Sequence, residues 1–161
     1  MDRSFKKVWD EAHLQLRLSL QKEISALREV LANLCEEELS LQLNDQAKIE
    51  QVLSDRSQMI DRLNHLRSER EDSTKLLEKI FGRPATFEEL FPIDEPENCE
   101  ILSLRDQLLA LIERINQQNS RNQHVHGHPY PHQIAKPTPQ PKKKTYLETI
   151  DPLDHNEEKS A

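Results

Sequence analysis

Apolar residues recur at steps of three and four in the first part of the chain. Between Phe5 and Leu34 this spacing places them on one face of a single α-helix. The residues are Phe5, Trp9, Ala12, Leu16, Leu20, Ile24, Leu27, Leu31 and Leu34. Leu14, Leu18 and Val30 widen the apolar face beyond what one partner helix covers. We therefore expect a second element to pack on this helix.

A second stretch keeps a stricter rhythm, in which steps of three and four alternate without a slip. Such a 3.5-residue repeat predicts a helix that coils against the first one as an antiparallel pair. Arg56 and Arg70 also occupy seam positions, and we expect each to pass the interface or to pair with a nearby carboxylate. The seam consists of Ile49, Val52, Arg56, Met59, Leu63, Leu66, Arg70, Ser73, Leu77 and Ile80.

Capping residues predict where these two helices begin and end. Asn44 and Asp45 are favourable N-cap residues, so we place a hairpin turn there between helices at about 3–43 and 45–81. One uninterrupted helix is the competing interpretation, because neither Gly nor Pro stands at this turn. Gly82 can supply the left-handed position after the second helix, and Pro84 prevents its continuation.

A connector over residues 83–98 precedes a third predicted helix at about 97–123. Thr86 and Glu89 have the spacing of a capping box, which would start one short helical turn within the connector. The third helix carries an apolar stripe, and a narrow bundle with few aromatic residues would leave it only partly covered. We therefore expect a partner to complete this stripe, which consists of Ile101, Leu104, Leu108, Leu111 and Ile115.

The chain changes character from His124 onward, where a segment with few large apolar residues is interrupted by Pro129, Pro131, Pro137, Pro139 and Pro141. Such a segment cannot bury enough surface to fold alone. The sequence thus predicts an all-α domain over residues 1–123, built from a long coiled-coil-like antiparallel hairpin and a third helix. Residues 124–161 are predicted to form a disordered tail, with Tyr146, Leu147 and Ile150 as one docking element.

Composition and charge narrow the class of function. Charged residues make up 32% of the chain and aromatic residues 4%, with two glycines, which favours long helices over a catalytic fold. The net charge of −7 argues against a nucleic-acid partner, and Lys142–Lys144 is a short basic run. No continuous apolar run indicates a signal peptide or membrane span, and Cys35 and Cys99 show no disulfide spacing. A bacterial cytoplasmic location is expected.

Candidate chemistry is sparse. A cluster of four imidazoles in the tail is the strongest candidate for metal ligands, but its place among prolines favours a solvated linker over a zinc site. They are His124, His126, His128 and His132. No nucleophile and base occupy a recognisable catalytic context, and two glycines cannot build a phosphate loop. We therefore expect a protein that is not an enzyme and has no cofactor.

The order of these features resembles the FlgN family, the cytoplasmic chaperones of flagellar hook-associated proteins in type III export. The resemblance covers about residues 1–123 and includes the segments KIEQVLSDRSQMIDRLNHLRSERE and LRDQLLALIERINQQNSRNQ. The asparagines Asn116, Asn119 and Asn122 look like that family's late asparagines. The third helix stops earlier than family members do, which leaves an injectisome substrate as permissible as a hook-associated protein.

The resemblance implies a chaperone that binds the C-terminal amphipathic helix of a secreted client and delivers it to the export apparatus. The implied client groove would contain Leu104, Leu108, Leu111, Ile115 and Asn119. Tyr146, in KKKTYLE, matches a tail tyrosine that helps such chaperones dock on the export gate. Two alternatives remain, a coiled-coil stalk or escort protein of the export ATPase and a client-free structural coiled coil that self-associates.

Overall fold

The computed structural model describes residues 3–125, and the predicted tail from residue 126 onward lies outside this range. Four α-helices and one 3₁₀ turn, Pro96–Asn98, account for most of the described chain. The predicted all-α class is confirmed, because residues 3–125 contain no strand. The helices are α1 (Arg3–Gln42), α2 (Gln46–Phe81), α3 (Phe87–Leu90) and α4 (Cys99–Val125).

The turn between α1 and α2 lies where the capping residues indicate, so the two segments are separate helices. Asn44 adopts the left-handed conformation, with a φ of 54°. The Asp45 carboxylate then accepts a hydrogen bond from the Lys48 backbone N–H at 3.1 Å, which satisfies one of the unpaired amides at the start of α2. A short polar residue that tolerates positive φ thus replaces glycine at this turn.

Both predicted caps of the following connector are also present. Gly82 has a φ of 91° and donates its backbone N–H to the Glu78 carbonyl at 2.9 Å, which ends α2. At α3, the Glu89 N–H donates to the Thr86 hydroxyl while the Glu89 carboxylate accepts from the Thr86 N–H. That backbone hydrogen bond, followed by the one from Arg83, lowers the pKa of Glu89.

Side-chain pairs show the direction of each helix. Arg70 of α2 pairs with Glu23, and Lys48 pairs with Glu36, so α2 runs antiparallel to α1. Glu100, near the start of α4, pairs with Arg17 in the first half of α1. Gln118, near the end of α4, contacts Glu38 near the end of α1. Hence α4 runs parallel to α1, and its C-terminus lies at the end of the molecule that holds the α1–α2 turn.

The core is an elongated apolar layer centred on α1. Helix α1 contacts both α2 and α4, whereas α2 and α4 make little contact with each other. Phe91 closes the layer beneath the connector, where it packs on Phe87 with ring centroids 4.7 Å apart and on the edge of His13. The α1 residues in this core are Ala12, Leu16, Leu20, Ile24, Ala26, Leu27, Val30 and Leu34.

Candidate protein-binding groove

The apolar stripe of α4, where a client groove was expected, is covered by the chain itself. Leu104 and Leu111 retain 9% and 8% of their exposure, and Leu108 and Ile115 retain less. All four belong to the same core cluster as the leucines of α1. The expectation of a partly open stripe is therefore corrected, because α1 displays enough leucine surface to cover it. A client helix would reach these residues only if α4 left α1.

The late asparagines of α4 divide into one buried residue and two that remain accessible. Asn119, expected in the client groove, is half-buried, and Asn116 is exposed. Asn122 is buried and donates to the Leu34 carbonyl and to the Glu37 carboxylate, each at 2.9 Å. Asn122 therefore fixes the end of α4 to α1.

The Glu37 carboxylate links all three long helices. Besides Asn122 of α4, it accepts a hydrogen bond from Arg56 of α2 at 2.5 Å. The Arg56 Nε donates to the side-chain oxygen of Asn33, whose amide donates to the Val52 carbonyl at 2.9 Å. This connected polar group satisfies its buried members and specifies how the helices align.

The second arginine of the predicted seam also pairs with a carboxylate. Arg70 donates to Glu23 at 2.7 Å, and the Glu23 side chain is fully buried. Both seam arginines thus follow the pairing interpretation of the sequence. The apolar seam residues surround these pairs, with Met59 and Ile80 partly exposed. The buried ones are Ile49, Val52, Leu63, Leu66 and Leu77.

An open groove lies instead between α1 and α2, toward the end of the hairpin away from its turn. We call it the outer groove. Leu18 and Leu76 remain 46% and 39% exposed although they lie on well-packed helices. The groove's apolar lining consists of Phe5, Val8, Leu18, Leu76 and Ile80.

The outer groove is distinct from the surface of α1 that carries the core leucines. Leu18 and Lys22 line the groove. Each stands two residues before a core residue, Leu20 and Ile24, which is about 200° of rotation on a helix with 3.6 residues per turn. The outer groove therefore lies beside this core, with Ile80 packed against the core's edge, and no described segment fills it.

Charges are distributed unevenly along the outer groove. Near Leu18, toward the middle of the hairpin, α2 contributes the carboxylates of Glu69 and Asp72, with Lys22 opposite. Near Phe5, at the open end, α2 contributes Lys79. A separate surface of α1 outside the groove is lined by Arg3, Lys6, Lys7, Asp10 and Glu11. The groove thus passes from a middle with two carboxylates and one lysine to an apolar end with the single charge of Lys79.

The remaining candidate residues show no assembled chemical site. His124 is the last-turn residue of α4 rather than part of the tail, and its ring nitrogen lies 2.8 Å from the Ser120 carbonyl. The other tail histidines and Tyr146 lie outside the described residues. Within residues 3–125 no metal-ligand cluster is present, and Cys35 and Cys99 are free and exposed. None of the described helices has an apolar stretch long enough for a membrane span.

Comparison of the chain with protein-family models, curated proteins and solved structures finds no match. The resemblance to the FlgN family therefore stays a prediction. The sequence did contain a signal for the outer groove, since Leu18, which lines it, lies beyond the face that one partner helix covers. Val30, grouped with Leu14 and Leu18, is buried, so only the two leucines of these three residues stay exposed.

Proposed function

We propose that this chain is a non-catalytic chaperone that binds an amphipathic helix of an exported client protein in the outer groove. The observation that supports it best is the line of exposed apolar side chains between two long, well-packed helices. Amphipathic helices bind grooves of this kind through apolar residues at helical spacing. The FlgN-like order of helices supplies the further expectation that the client is a type III substrate.

The size of the groove sets the strength of binding that it supports. Burying the exposed half of one Leu or Phe side chain stabilises a complex by about 1 kcal/mol. The five apolar residues of the outer groove therefore contribute on the order of 5 kcal/mol before ordering costs are subtracted. A client must add charged contacts to reach micromolar affinity, which favours a client helix whose polar edge carries carboxylates near Lys79.

The direct test is titration of the purified full chain with candidate clients, namely the hook-associated proteins and other type III substrates of the same genome. We expect a stoichiometric complex with one or two of them. Leu18→Asp and Leu76→Asp each place a charge in the groove and should weaken binding by about tenfold or more. Leu43→Asp is the matched control, because Leu43 is 70% exposed and lies at the turn.

Two results would contradict the proposal. One is the lack of a stoichiometric complex with any of these substrates. The other is equal loss of binding in Leu43→Asp and Leu76→Asp. Co-purification with export ATPase subunits and a change in their activity would instead favour the stalk or escort protein. A client-independent dimer in light scattering, abolished by Leu76→Asp, would favour the self-associating coiled coil.

The tail supplies a second, separable expectation. Tyr146 is proposed to contact the export gate, so Tyr146→Ala should spare client binding and impair client secretion. Secretion of the client into the culture medium, measured beside the titration, checks this division. Equal loss of binding in Tyr146→Ala and Leu76→Asp would contradict it.

A further inference from the structure

We propose that the outer groove is occupied in the client-free chain by the chain's own segment 142–158. This inference deepens the proposed function by naming what protects the same groove before a client binds. It is tested without a client, so the two ideas can fail separately. The grounds are the apolar lining of the groove, the order of charges along it and the reach of the chain beyond Val125.

The chemistry of segment 142–158 matches the groove. Tyr146, Leu147, Ile150 and Leu153 are the segment's large apolar residues. They alternate with carboxylates, whereas the residues immediately before them are lysines. The segment therefore begins basic and becomes apolar and acidic, with Lys142, Lys143 and Lys144 followed by Glu148, Asp151, Asp154, Glu157 and Glu158.

The order of charges in the groove is complementary when it is followed from the turn end of the hairpin. A chain that leaves α4 first meets the acidic part of the groove, at Glu69 and Asp72. It then reaches the apolar end near Phe5, where Lys79 lines the groove. Lysines first and carboxylates later is the order that pairs opposite charges at both places.

The connecting chain is long enough. Helix α4 ends at Val125, close to the level of Glu37 and Glu38 on α1, because Gln118 and Asn122 contact these residues. The acidic part of the groove lies opposite Gln15–Lys22, about 30 Å away at ~1.5 Å per helical residue. The 16 residues 126–141 include five prolines. At ~3.1 Å per residue such a linker spans about 50 Å, which leaves length to pass around the hairpin.

Tethering compensates for the small area of the groove. A short linker holds its end at a millimolar effective concentration, so even a contact with a millimolar dissociation constant is substantially occupied. A separate client must bind more tightly to displace the segment. The tail would thus keep the apolar groove from weak, unspecific partners while allowing a specific client to enter.

The test is photo-cross-linking in the full chain, with Tyr146 replaced by p-benzoylphenylalanine. We expect cross-links to peptides that contain Phe5–Val8 or Leu76–Ile80, identified by mass spectrometry. A mixture of isotopically light and heavy chains should yield them only within one chain. Leu76→Asp, and separately replacement of Lys142–Lys144 by Glu, should each lower the yield by about fivefold or more, whereas Leu43→Asp should leave it unchanged.

Three outcomes would overturn the inference: cross-links scattered over the surface, cross-links directed to α4, or cross-links between light and heavy chains. Loss of client binding in Leu76→Asp together with any of these would end the tail proposal and leave the proposed function standing. Specific intramolecular cross-links without binding of any client would contradict the proposed function and leave the tail proposal standing.

Discussion

Helix α1 holds its two long neighbours by different chemistry. Toward α2 it buries Glu23, Asn33 and Glu37, which pair with arginines and a backbone carbonyl of that helix. Toward α4, leucine and isoleucine side chains dominate, and Asn122 is the buried polar residue that α4 contributes. The same helix therefore presents one face with specific partners and one face that is mainly apolar.

This difference indicates which of the two helices, α2 or α4, is held in a single register against α1. A slip of α2 by one turn would separate Glu23 from Arg70 and leave two charges buried without each other, which is far more costly than the loss of apolar contact. A leucine stripe tolerates displacement better, because each side chain meets another apolar surface. Asn122 supplies the buried directional contact of α4, whereas its pairs Arg17–Glu100 and Gln118–Glu38 lie closer to the surface. Of the two neighbours, α4 is the one expected to move.

The strongest test of the comparison removes one partner of the buried ion pair. Glu23→Leu should lower the free energy of unfolding by about 3–5 kcal/mol, because Arg70 then remains buried without its carboxylate. Urea denaturation measures the effect. Restoring volume and neutrality in Glu23→Leu/Arg70→Met should recover most of the loss. A double variant as unstable as the single one would show that the pair does more than fix the register.

The apolar side is tested by a cavity in α4. Leu108→Ala should lower the free energy of unfolding by about 2–5 kcal/mol, because Leu108 is buried in the core shared with α1. Leu109→Ala is the matched control, since its side chain is only partly buried. Comparable losses for the two variants in urea denaturation would be incompatible with α4 packing through this face.

The polar contact within the apolar side is expected to have a smaller effect. Asn122→Ala leaves the Leu34 carbonyl without its side-chain donor and should cost about 1–3 kcal/mol. Hydrogen exchange of α4 should accelerate more than that of α2, because the hydrogen bonds of Asn122 hold α4 against α1. Asn119→Ala serves as the control. Equal acceleration in both helices would mean that α4 and α2 open together.

The smallest expected effect is a pH dependence at the contact between α1 and the connector. Burial, then the charge of Arg17, lowers the pKa of His13 from its ordinary value of 6.5, although Asp10, Glu97 and Glu100 oppose the shift. The unfolded chain therefore binds more protons than the folded one at pH values between the lowered pKa and 6.5. The free energy of unfolding should accordingly fall as pH drops below about 6.5.

His13→Gln should remove this component of the acid sensitivity. Urea denaturation at pH 7.5 and 5.5, with wild type beside the variant, measures the difference. An unchanged pH dependence in His13→Gln would show that His13 is not the source of the sensitivity.

Much of the fold follows from local features that the sequence displays directly. Asp45, Gly82 and the Thr86–Glu89 capping box each act on backbone amides within a few residues, so their effect does not depend on distant packing. The heptad spacing of α2 likewise predicts which side faces α1. Even the two seam arginines are interpretable, because a long cation at a buried position requires a carboxylate partner.

The position of the open groove could not be predicted from the spacing of apolar residues alone. An apolar stripe on α4 and an apolar stripe on α1 look alike in sequence, although only the stripe on α4 was expected to receive a partner protein. Which stripe stays open depends on the angular positions of α2 and α4 around α1, and no single helix encodes those positions. Leu18 stays exposed because it lies at the open edge of the contact between α1 and α2, whereas Leu108 is covered because α4 lies along α1.

By itself the sequence determined the helical class, the helix ends and the positions that must be buried, because these depend on short-range spacing and capping. The tertiary structure alone decided that α4 runs parallel to α1, that Glu37 joins three helices and that the open groove lies between α1 and α2. These features depend on long-range contacts, in which each helix competes for the same apolar surface of α1.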